Sequence, residues 1–210
     1  MTRIKICGIT NVEDARAAVD YGADALGFIL VPESPRYIDE NTFHTMGQIN
    51  YLFVDRVVVV QRPSDAQEYA YDYVQFYREE DGKQDWWYDS WQHIRAFRIQ
   101  DEKSLDEIES YRFHEGMRAY LLDAYHKDKQ GGSGEIFNWD LAVEAKRRFG
   151  KPIILAGGLT PENVGEAIAK VRPYAVDVSS GVEAEPGRKD HVKLKAFIDA
   201  VKEADRLLNT

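Results

Sequence analysis

The chain has 210 residues, 44% of them hydrophobic and 30% charged, with a formal net charge of −9. This acidic balance argues against nonspecific attraction to nucleic acid or to an anionic membrane, so an acidic ligand must be held by local groups. The single cysteine excludes an internal disulfide, no apolar run is as long as a membrane-spanning helix, and the first residues lead into a strand rather than a signal peptide, so we expect a cytoplasmic protein.

The first predicted strand, residues 4–7, ends in the only cysteine, directly before a glycine and a helix start. Alternation along a strand puts Ile4 and Ile6 on one face and Lys5 and Cys7 on the other. A lone cysteine is more often an inert buried hydrophobe than a catalyst. If the Lys5 face lines a pocket, however, the thiol stands at its mouth, which makes Cys7 a candidate reactive group.

Seven more short aliphatic or β-branched runs predict strands, and helical patterns alternate with them. These runs cover residues 25–30, 56–60, 73–77, 94–98, 119–123, 153–156 and 175–178. Eight strand-then-helix units predict parallel strands that close into a barrel. We therefore expect residues 1–210 to form a single compact (β/α)8 TIM-barrel domain. An open doubly wound sheet is the alternative, but it would usually carry a richer glycine fingerprint after its first strand.

Capping signals predict several helix limits. Three pairs match the capping box: Thr10 with Glu13, Ser64 with Gln67, and Ser104 with Glu107. Thr160 before Pro161 predicts a further helix start, and Gly22 and Gly150 predict two helix ends. The stretch 78–93 is the least regular part, and its tryptophans, Trp86, Trp87 and Trp91, accompany a stunted or irregular fourth helix.

In such a barrel, chemistry gathers where strands end and helices begin. The seventh and eighth predicted units have small residues there, Gly157 and Gly158 in one loop and Ser180 and Gly181 in the other. Glycines let a phosphate approach backbone amides, and the loops after strands seven and eight are the usual phosphate site of this fold. Each loop alone is explained as well by a tight turn, but the two together favour phosphate binding.

Two charged side chains also stand at predicted strand ends. Asp123 shares the strand face of Leu121. Such a carboxyl group suits a general acid if low polarity raises its pKa, and an exposed loop cap is the alternative. The loop beyond it contains residues 131–134, GGSG, which form either a closing lid or a passive linker. Arg36 has the planar fork that suits a carboxylate, although a solvated surface arginine is the ordinary interpretation.

Five blocks of the sequence, in this order, carry a family resemblance. They are KICGIT (5–10), GADALGF (22–28) with SPRY (34–37), LLD (121–123) with GGSG (131–134), AGGLTPENV (156–164), and DVSSGVE (177–183). The chain resembles the phosphoribosylanthranilate isomerases of tryptophan biosynthesis over nearly its whole length. That resemblance implies a small (β/α)8 barrel and an Amadori rearrangement of N-(5-phosphoribosyl)anthranilate to 1-(2-carboxyphenylamino)-1-deoxyribulose 5-phosphate, with no metal or organic cofactor.

The resemblance also implies residue roles. Asp123 would protonate the furanose ring oxygen, and Cys7, as a thiolate, would remove the proton from the second carbon of the sugar. The implied substrate-binding residues are Arg36 for the anthranilate carboxylate, Gly157, Gly158, Ser180 and Gly181 for the phosphate, and Asp177 in a positioning role. Because a thiol is mostly protonated at neutral pH, we expect Lys5 and the amides of the next helix start to favour the thiolate.

The chain departs from the family pattern where the fourth predicted strand ends, since Tyr77 and Arg78 stand where a histidine and a glycine are usual. The end of the third strand, 60–63, is also unusual, so we expect an active enzyme with a locally altered rim. We expect a small phosphorylated molecule as partner, no nucleic acid or membrane, and a monomer or weak homodimer.

Three alternatives stay open. A histidine-pathway phosphoribosyl isomerase is expected to carry an aspartate in place of Cys7. A metal-dependent pentose-phosphate epimerase needs histidines at strand ends, where the five histidines of this chain do not fall. The third alternative is a non-catalytic phosphate-binding barrel.

Overall fold

Eight parallel strands close into a barrel in chain order, so that each strand pairs with the next and the last pairs with the first. The computed structural model describes residues 1–47, 52–66, 71–77, 92–110, 116–124 and 138–209. The barrel strands are Arg3–Cys7 (β1), Ala25–Ile29 (β2), Asp55–Val60 (β3), Tyr73–Phe76 (β4), His93–Ile99 (β5), Met117–Ala124 (β6), Ile153–Leu155 (β7) and Ala175–Val178 (β8). The predicted barrel is confirmed and the open sheet is excluded. That residues 1–210 form a single domain stays a prediction.

Helices follow most of the strands. In the described residues they are Val12–Tyr21 (α1), Glu40–Gly47 (α2), Ser104–Ser110 (α3), Trp139–Phe149 (α4), Val164–Val171 (α5) and His191–Leu208 (α6), with a 3₁₀ turn, Pro63–Ala66, after β3. None of these helices is both long enough and apolar enough to span a membrane. The predicted irregular fourth helix, with its tryptophans, and the 131–134 loop lie outside the described residues.

The connection between β8 and α6 contains a small hairpin. A 3₁₀ turn, Ser180–Val182, leads into two short antiparallel strands, Glu183–Glu185 (β9) and Arg188–Lys189 (β10). No sequence pattern predicted this hairpin, because strands of two or three residues are too short to show an alternation of polar and apolar side chains.

Helix ends follow the sequence signals and helix starts are displaced. Gly22 and Gly150 adopt left-handed conformations at the ends of α1 and α4, with φ of 109° and 64°, as predicted. The predicted start at Thr10 is wrong by one residue, because Asn11 caps α1 by accepting a hydrogen bond from the Asp14 amide. Asparagine is a better cap than threonine, so it wins where the two are adjacent.

Two other predicted starts also differ from those observed. Helix α5 begins after Asn163 rather than after Thr160, and Asn163 Oδ1 instead accepts from the Thr160 amide. At α3 the Ser104 amide donates to Asp101 Oδ1, so aspartate takes the capping role expected of Ser104. The Ser64 pair reaches Gln67, which lies outside the described residues.

Two separate apolar layers form the core. The larger one packs strands against helices and includes Ile4, Ile6 and Phe197. The smaller one fills the barrel with eight residues, Val57, Ile94, Ala96, Ala119, Leu121, Ile154, Ala156 and Ala175. The predicted alternation along β1 is confirmed, because Ile4 and Ile6 lie in the outer layer while Lys5 and Cys7 face the inside of the barrel.

Candidate active site

A cavity of about 280 Å³ lies where the barrel strands end. Its walls include all eight candidate residues, namely Cys7, Arg36, Asp123, Gly157, Gly158, Asp177, Ser180 and Gly181. They come from the ends of β1, β6 and β8 and from the loops after β2, β7 and β8. Barrel closure therefore brings together residues from both ends of the chain, on the face where this fold holds its chemistry.

A buried ion pair stands beneath the thiol. Lys5 Nζ lies 2.9 Å from Asp177 Oδ1, and both side chains are almost wholly buried. Burial works to lower the pKa of Lys5, but the charges of Asp177 and Cys7 outweigh burial and raise it above its ordinary value. Lys5 therefore remains a positive charge inside the barrel, two residues from Cys7 on the same strand face.

Burial raises the pKa of the Cys7 thiol, and the negative charge of Asp177 acts in the same direction. Lys5 and Lys189 both work to lower that pKa, which is the sign predicted for Lys5, yet they do not overcome burial. Lys5 therefore favours the thiolate as expected, but burial outweighs it. The neutral thiol is the resting form near neutral pH, and the thiolate fraction grows as pH rises.

Arg36 is buried rather than solvated, with 8% of its surface exposed. Its Nε and Nη2 donate to the two carboxylate oxygens of Glu183 at 2.8 and 2.7 Å. Lys189 Nζ donates to Glu183 Oε1 at 3.0 Å and to the backbone carbonyl of Cys7 at 2.7 Å. The surface interpretation of Arg36 is thus excluded, because the β9–β10 hairpin supplies a partner that holds it in the site.

The carboxylate of Glu183 is ionised in this environment. Burial works to raise its pKa, but hydrogen bonds from Arg36 and the charge of Lys189 outweigh burial and lower it. Burial also lowers the pKa of Lys189, against the opposing effect of Glu183. A carboxylate held between two cationic side chains therefore lies next to the cavity.

Asp123 is partly buried at the end of β6, where Tyr77 contacts it. The Tyr77 hydroxyl donates to Asp123 Oδ2 at 3.3 Å. Burial raises the pKa of Tyr77 well above its ordinary value, and the charges of Asp123 and Cys7 add to the rise, so the phenol stays a donor. Arg98, the register partner of Asp123 on β5, places its guanidinium carbon 5.5 Å from the centre of the Tyr77 ring.

The loops after β7 and β8 fit closely against neighbouring backbone. At Gly157, with φ of 81°, an added Cβ would stand 2.3 Å from the Ala124 amide nitrogen. At Gly181 an added Cβ would stand 1.9 Å from the Leu159 carbonyl oxygen. Only glycine fits at either position, so these loops bring bare backbone to the cavity wall.

The same wall holds hydrogen-bond donors that have no partner among the described residues. Within the described chain, the amides of Gly157 and Gly158 donate no hydrogen bond. The hydroxyl of Ser179 is buried there and likewise has no partner among the described residues. Free amides next to a hydroxyl are typical of an anion site. No group of three or more metal-ligating side chains is found in the part of the chain that the structure describes.

Known proteins match this chain over nearly its whole length. A family model described as N-(5'phosphoribosyl)anthranilate (PRA) isomerase matches residues 4–200. The N-(5'-phosphoribosyl)anthranilate isomerase of Geobacter metallireducens is 46% identical over 209 residues, which cover 96% of this chain and 100% of that protein. This chain belongs to the phosphoribosylanthranilate isomerase family. The resemblance carried by the five sequence blocks is thereby confirmed.

Solved phosphoribosylanthranilate isomerases share the barrel. The enzyme of Thermotoga maritima superposes with a TM-score of 0.84 at 39% identity, covering 97% of this chain and 100% of that one. A second, solved in complex with reduced 1-(o-carboxyphenylamino)-1-deoxyribulose 5-phosphate, gives a TM-score of 0.80 at 36% identity, with the same coverage. The family therefore accounts for the fold.

Three side chains at the site had no role in the sequence-based predictions. Glu183 closes one of the five family blocks, and an acidic residue just beyond a glycine turn was the available signal. Tyr77 appeared only as a departure from the family pattern. Lys189 gave no signal, because a single lysine in an acidic surface segment has the composition of an ordinary solvated residue.

Proposed function

We propose residue roles for the isomerisation of this family, the Amadori rearrangement of N-(5-phosphoribosyl)anthranilate in tryptophan biosynthesis, with Asp123 as general acid and Cys7 as general base. The observation that carries the proposal is a cavity lined by both groups, with bare amides and a buried arginine on its other walls. An acid and a base on opposite sides of one sugar are what the rearrangement requires.

Ring opening comes first. Asp123 donates its proton to the furanose ring oxygen as the bond from that oxygen to the first sugar carbon breaks, and the anilino nitrogen lone pair forms the carbon–nitrogen double bond. The product is a protonated Schiff base, and Asp123 becomes a carboxylate. The hydroxyl of Tyr77 donates to this carboxylate and stabilises its new charge.

Proton abstraction comes second. The Cys7 thiolate takes the proton from the second sugar carbon, and the electron pair of that bond moves to form the carbon–carbon double bond of an enolamine. The positive charge on nitrogen is neutralised and the thiol is regenerated in its neutral form. The enolamine then gains a proton at the first carbon and loses its hydroxyl proton to give the ketone.

Binding groups surround this reaction. Arg36 receives the anthranilate carboxylate, and the amides around Gly157, Gly158, Ser180 and Gly181 receive the phosphate. Asp177 acts through Lys5, whose ammonium group it holds at 2.9 Å beside the thiol. Each proton transfer assigned to the protein uses one of its own side chains, so the partner we infer is a small phosphorylated substrate alone. A cytoplasmic location and a monomer or weak homodimer stay predictions.

An assay in which the substrate is formed in the reaction mixture tests the proposal. Phosphoribosylanthranilate is generated from anthranilate and ribose 5-phosphate, and its loss of fluorescence is followed with wild-type protein and with the Cys7→Ser and Asp123→Asn variants. We expect rapid loss with wild type and with Glu185→Gln, an exposed control on β9, and almost none with the two site variants. No loss with wild type, together with turnover of the histidine-pathway substrate, would overturn the proposal.

A further inference from the structure

We propose that Glu183 and Lys189 are positioning residues, which fix the edge of Arg36 that meets the substrate carboxylate. This inference rests on the carboxylate-binding role given to Arg36 above. Its own evidence is the arrangement of three buried charged side chains under the β9–β10 hairpin.

The contact between Arg36 and Glu183 is bidentate and directional. Nε and Nη2 of Arg36 each donate to a different oxygen of Glu183, at 2.8 and 2.7 Å. Such a two-point contact holds the guanidinium plane in one orientation, because two parallel hydrogen bonds leave little rotation. Within the described chain Nη1 has no partner, so this nitrogen and the second hydrogen of Nη2 form the edge left for a ligand.

Lys189 completes the arrangement as a second cationic partner of Glu183. Its side chain is 0% exposed, and its ammonium group donates to Glu183 Oε1, to the carbonyl of Cys7 and to the carbonyl of Ser179, at 3.0, 2.7 and 3.3 Å. An ammonium group has three donors, and all three are used here. Lys189 therefore links the partner of Arg36 to the strand end that carries the base and to the start of the phosphate-side loop.

The net charge of Arg36, Glu183 and Lys189, the buried trio, explains the role of the second cation. Glu183 alone would neutralise Arg36 and weaken its attraction for a second carboxylate. With Lys189 present the three side chains sum to one positive charge, in a place of low exposure where that charge is poorly screened. The trio therefore keeps Arg36 rigid without removing the attraction for a carboxylate.

A substrate without the carboxylate separates positioning from general structural damage. N-(5-Phosphoribosyl)anthranilate and N-(5-phosphoribosyl)aniline are formed in place from ribose 5-phosphate with anthranilate or aniline, and kcat and KM are measured for both. The variants are Glu183→Gln, Arg36→Met, their double variant, and Glu185→Gln as the matched control on the same hairpin. Circular dichroism and thermal unfolding establish that each variant is folded.

We expect Glu183→Gln to lower the anthranilate-to-aniline ratio of kcat/KM by about 10- to 100-fold, the factor that one hydrogen bond to a charged group provides. The variant also adds one net positive charge beside the substrate carboxylate, so this loss requires that the lost orientation of Arg36 outweighs the added attraction. The loss falls mainly on KM for the anthranilate substrate, while turnover of the aniline substrate changes little. The double variant matches Arg36→Met, since Glu183 acts through Arg36. Lys189→Met lowers the ratio in the same direction, and Glu185→Gln leaves it unchanged.

Three results would overturn the inference: an unchanged ratio in Glu183→Gln, an equal loss for both substrates, or a double variant that loses the sum of the two single effects. If Glu183→Gln does not fold, Glu183→Asp serves, because it keeps the charge and draws both oxygens back by one carbon; an unchanged ratio there is equally decisive. A wild-type protein that turns over neither substrate, or that shows no preference for the carboxylate, would instead contradict the proposed function.

Discussion

The two faces of the barrel strands have opposite characters. The outward faces pack against the helices in one large apolar layer, in which Phe197 and Ile168 are fully buried. The inward faces form a much smaller apolar group, and beyond it lie the buried Lys5–Asp177 ion pair and the cavity. The outer layer stabilises the fold, because burial of its apolar area contributes to the free energy of unfolding. The inner side keeps charged groups that cost desolvation, and a buried ion pair is weak evidence for stability.

The largest expected effect is on the inner side, at the proposed acid and base. Cys7→Ser or Asp123→Asn should lower kcat by roughly 10²- to 10⁴-fold, the usual contribution of a positioned acid or base. The affinity for the product should stay close to normal in Cys7→Ser, because the two side chains differ by one atom. Steady-state kinetics and a fluorescence titration with product measure the two quantities. Undiminished turnover in Cys7→Ser would remove the thiol from the mechanism.

A substitution in the outer layer should have the opposite effect and lower stability rather than turnover. Phe197→Ala on α6 removes a fully buried ring and should lower the free energy of unfolding by about 3 to 5 kcal/mol. Turnover per folded molecule should change little, since Phe197 does not line the cavity. Urea unfolding and active-site titration measure the two effects. A large loss of kcat in the folded variant would contradict the separation of the two faces.

The pH dependence of the wild type sharpens the comparison. The proposed mechanism needs Cys7 as a thiolate, and burial raises the pKa of its thiol above the ordinary 9.0. The thiolate fraction of the free protein should therefore rise with pH through neutrality and continue to rise beyond pH 9, which the ultraviolet absorbance of the thiolate measures. A thiolate fraction that levels off below pH 8 would show that the thiol pKa is lowered instead.

Removal of the positive charge below the thiol should move that profile further. Lys5→Met takes away an influence that lowers the pKa of Cys7 and leaves the opposing charge of Asp177, so the titration of the thiol should move to higher pH. For every pH unit that this titration moves, the thiolate fraction, and with it kcat/KM, falls by about tenfold at pH 7. The double variant Lys5→Met/Asp177→Asn removes both charges and serves as the control, with a smaller displacement expected. A profile that stays in place in Lys5→Met would show that the ammonium does not act on the base.

The smallest effect is expected at Tyr77. Tyr77→Phe keeps the ring under Arg98 and removes only the hydrogen bond to Asp123, so kcat should fall by about 3- to 10-fold. KM and thermal stability should change little. Steady-state kinetics over a range of pH checks this, and an unchanged kcat at every pH would exclude a role for the phenol in supporting the acid.

The sequence by itself determined the barrel and the strand ends that carry the proposed acid and base. Residues 175–178 were predicted with the observed bounds, and the other seven strands with limits that differ from those observed by no more than two residues. This was possible because strand alternation is a local property, so it places Cys7 opposite Ile6 and Asp123 on the face of Leu121 wherever the strand lies.

Only the tertiary structure decided the partners and the charge states. Glu183 lies 147 residues beyond Arg36 in the chain, and Tyr77 lies 46 residues before Asp123, so no local pattern links either pair. The thiol pKa likewise depends on how deeply Cys7 is buried and on charges from both ends of the chain. Periodicity and loop composition are written in neighbouring residues, whereas desolvation and ion pairing arise when closure of the barrel brings distant residues together.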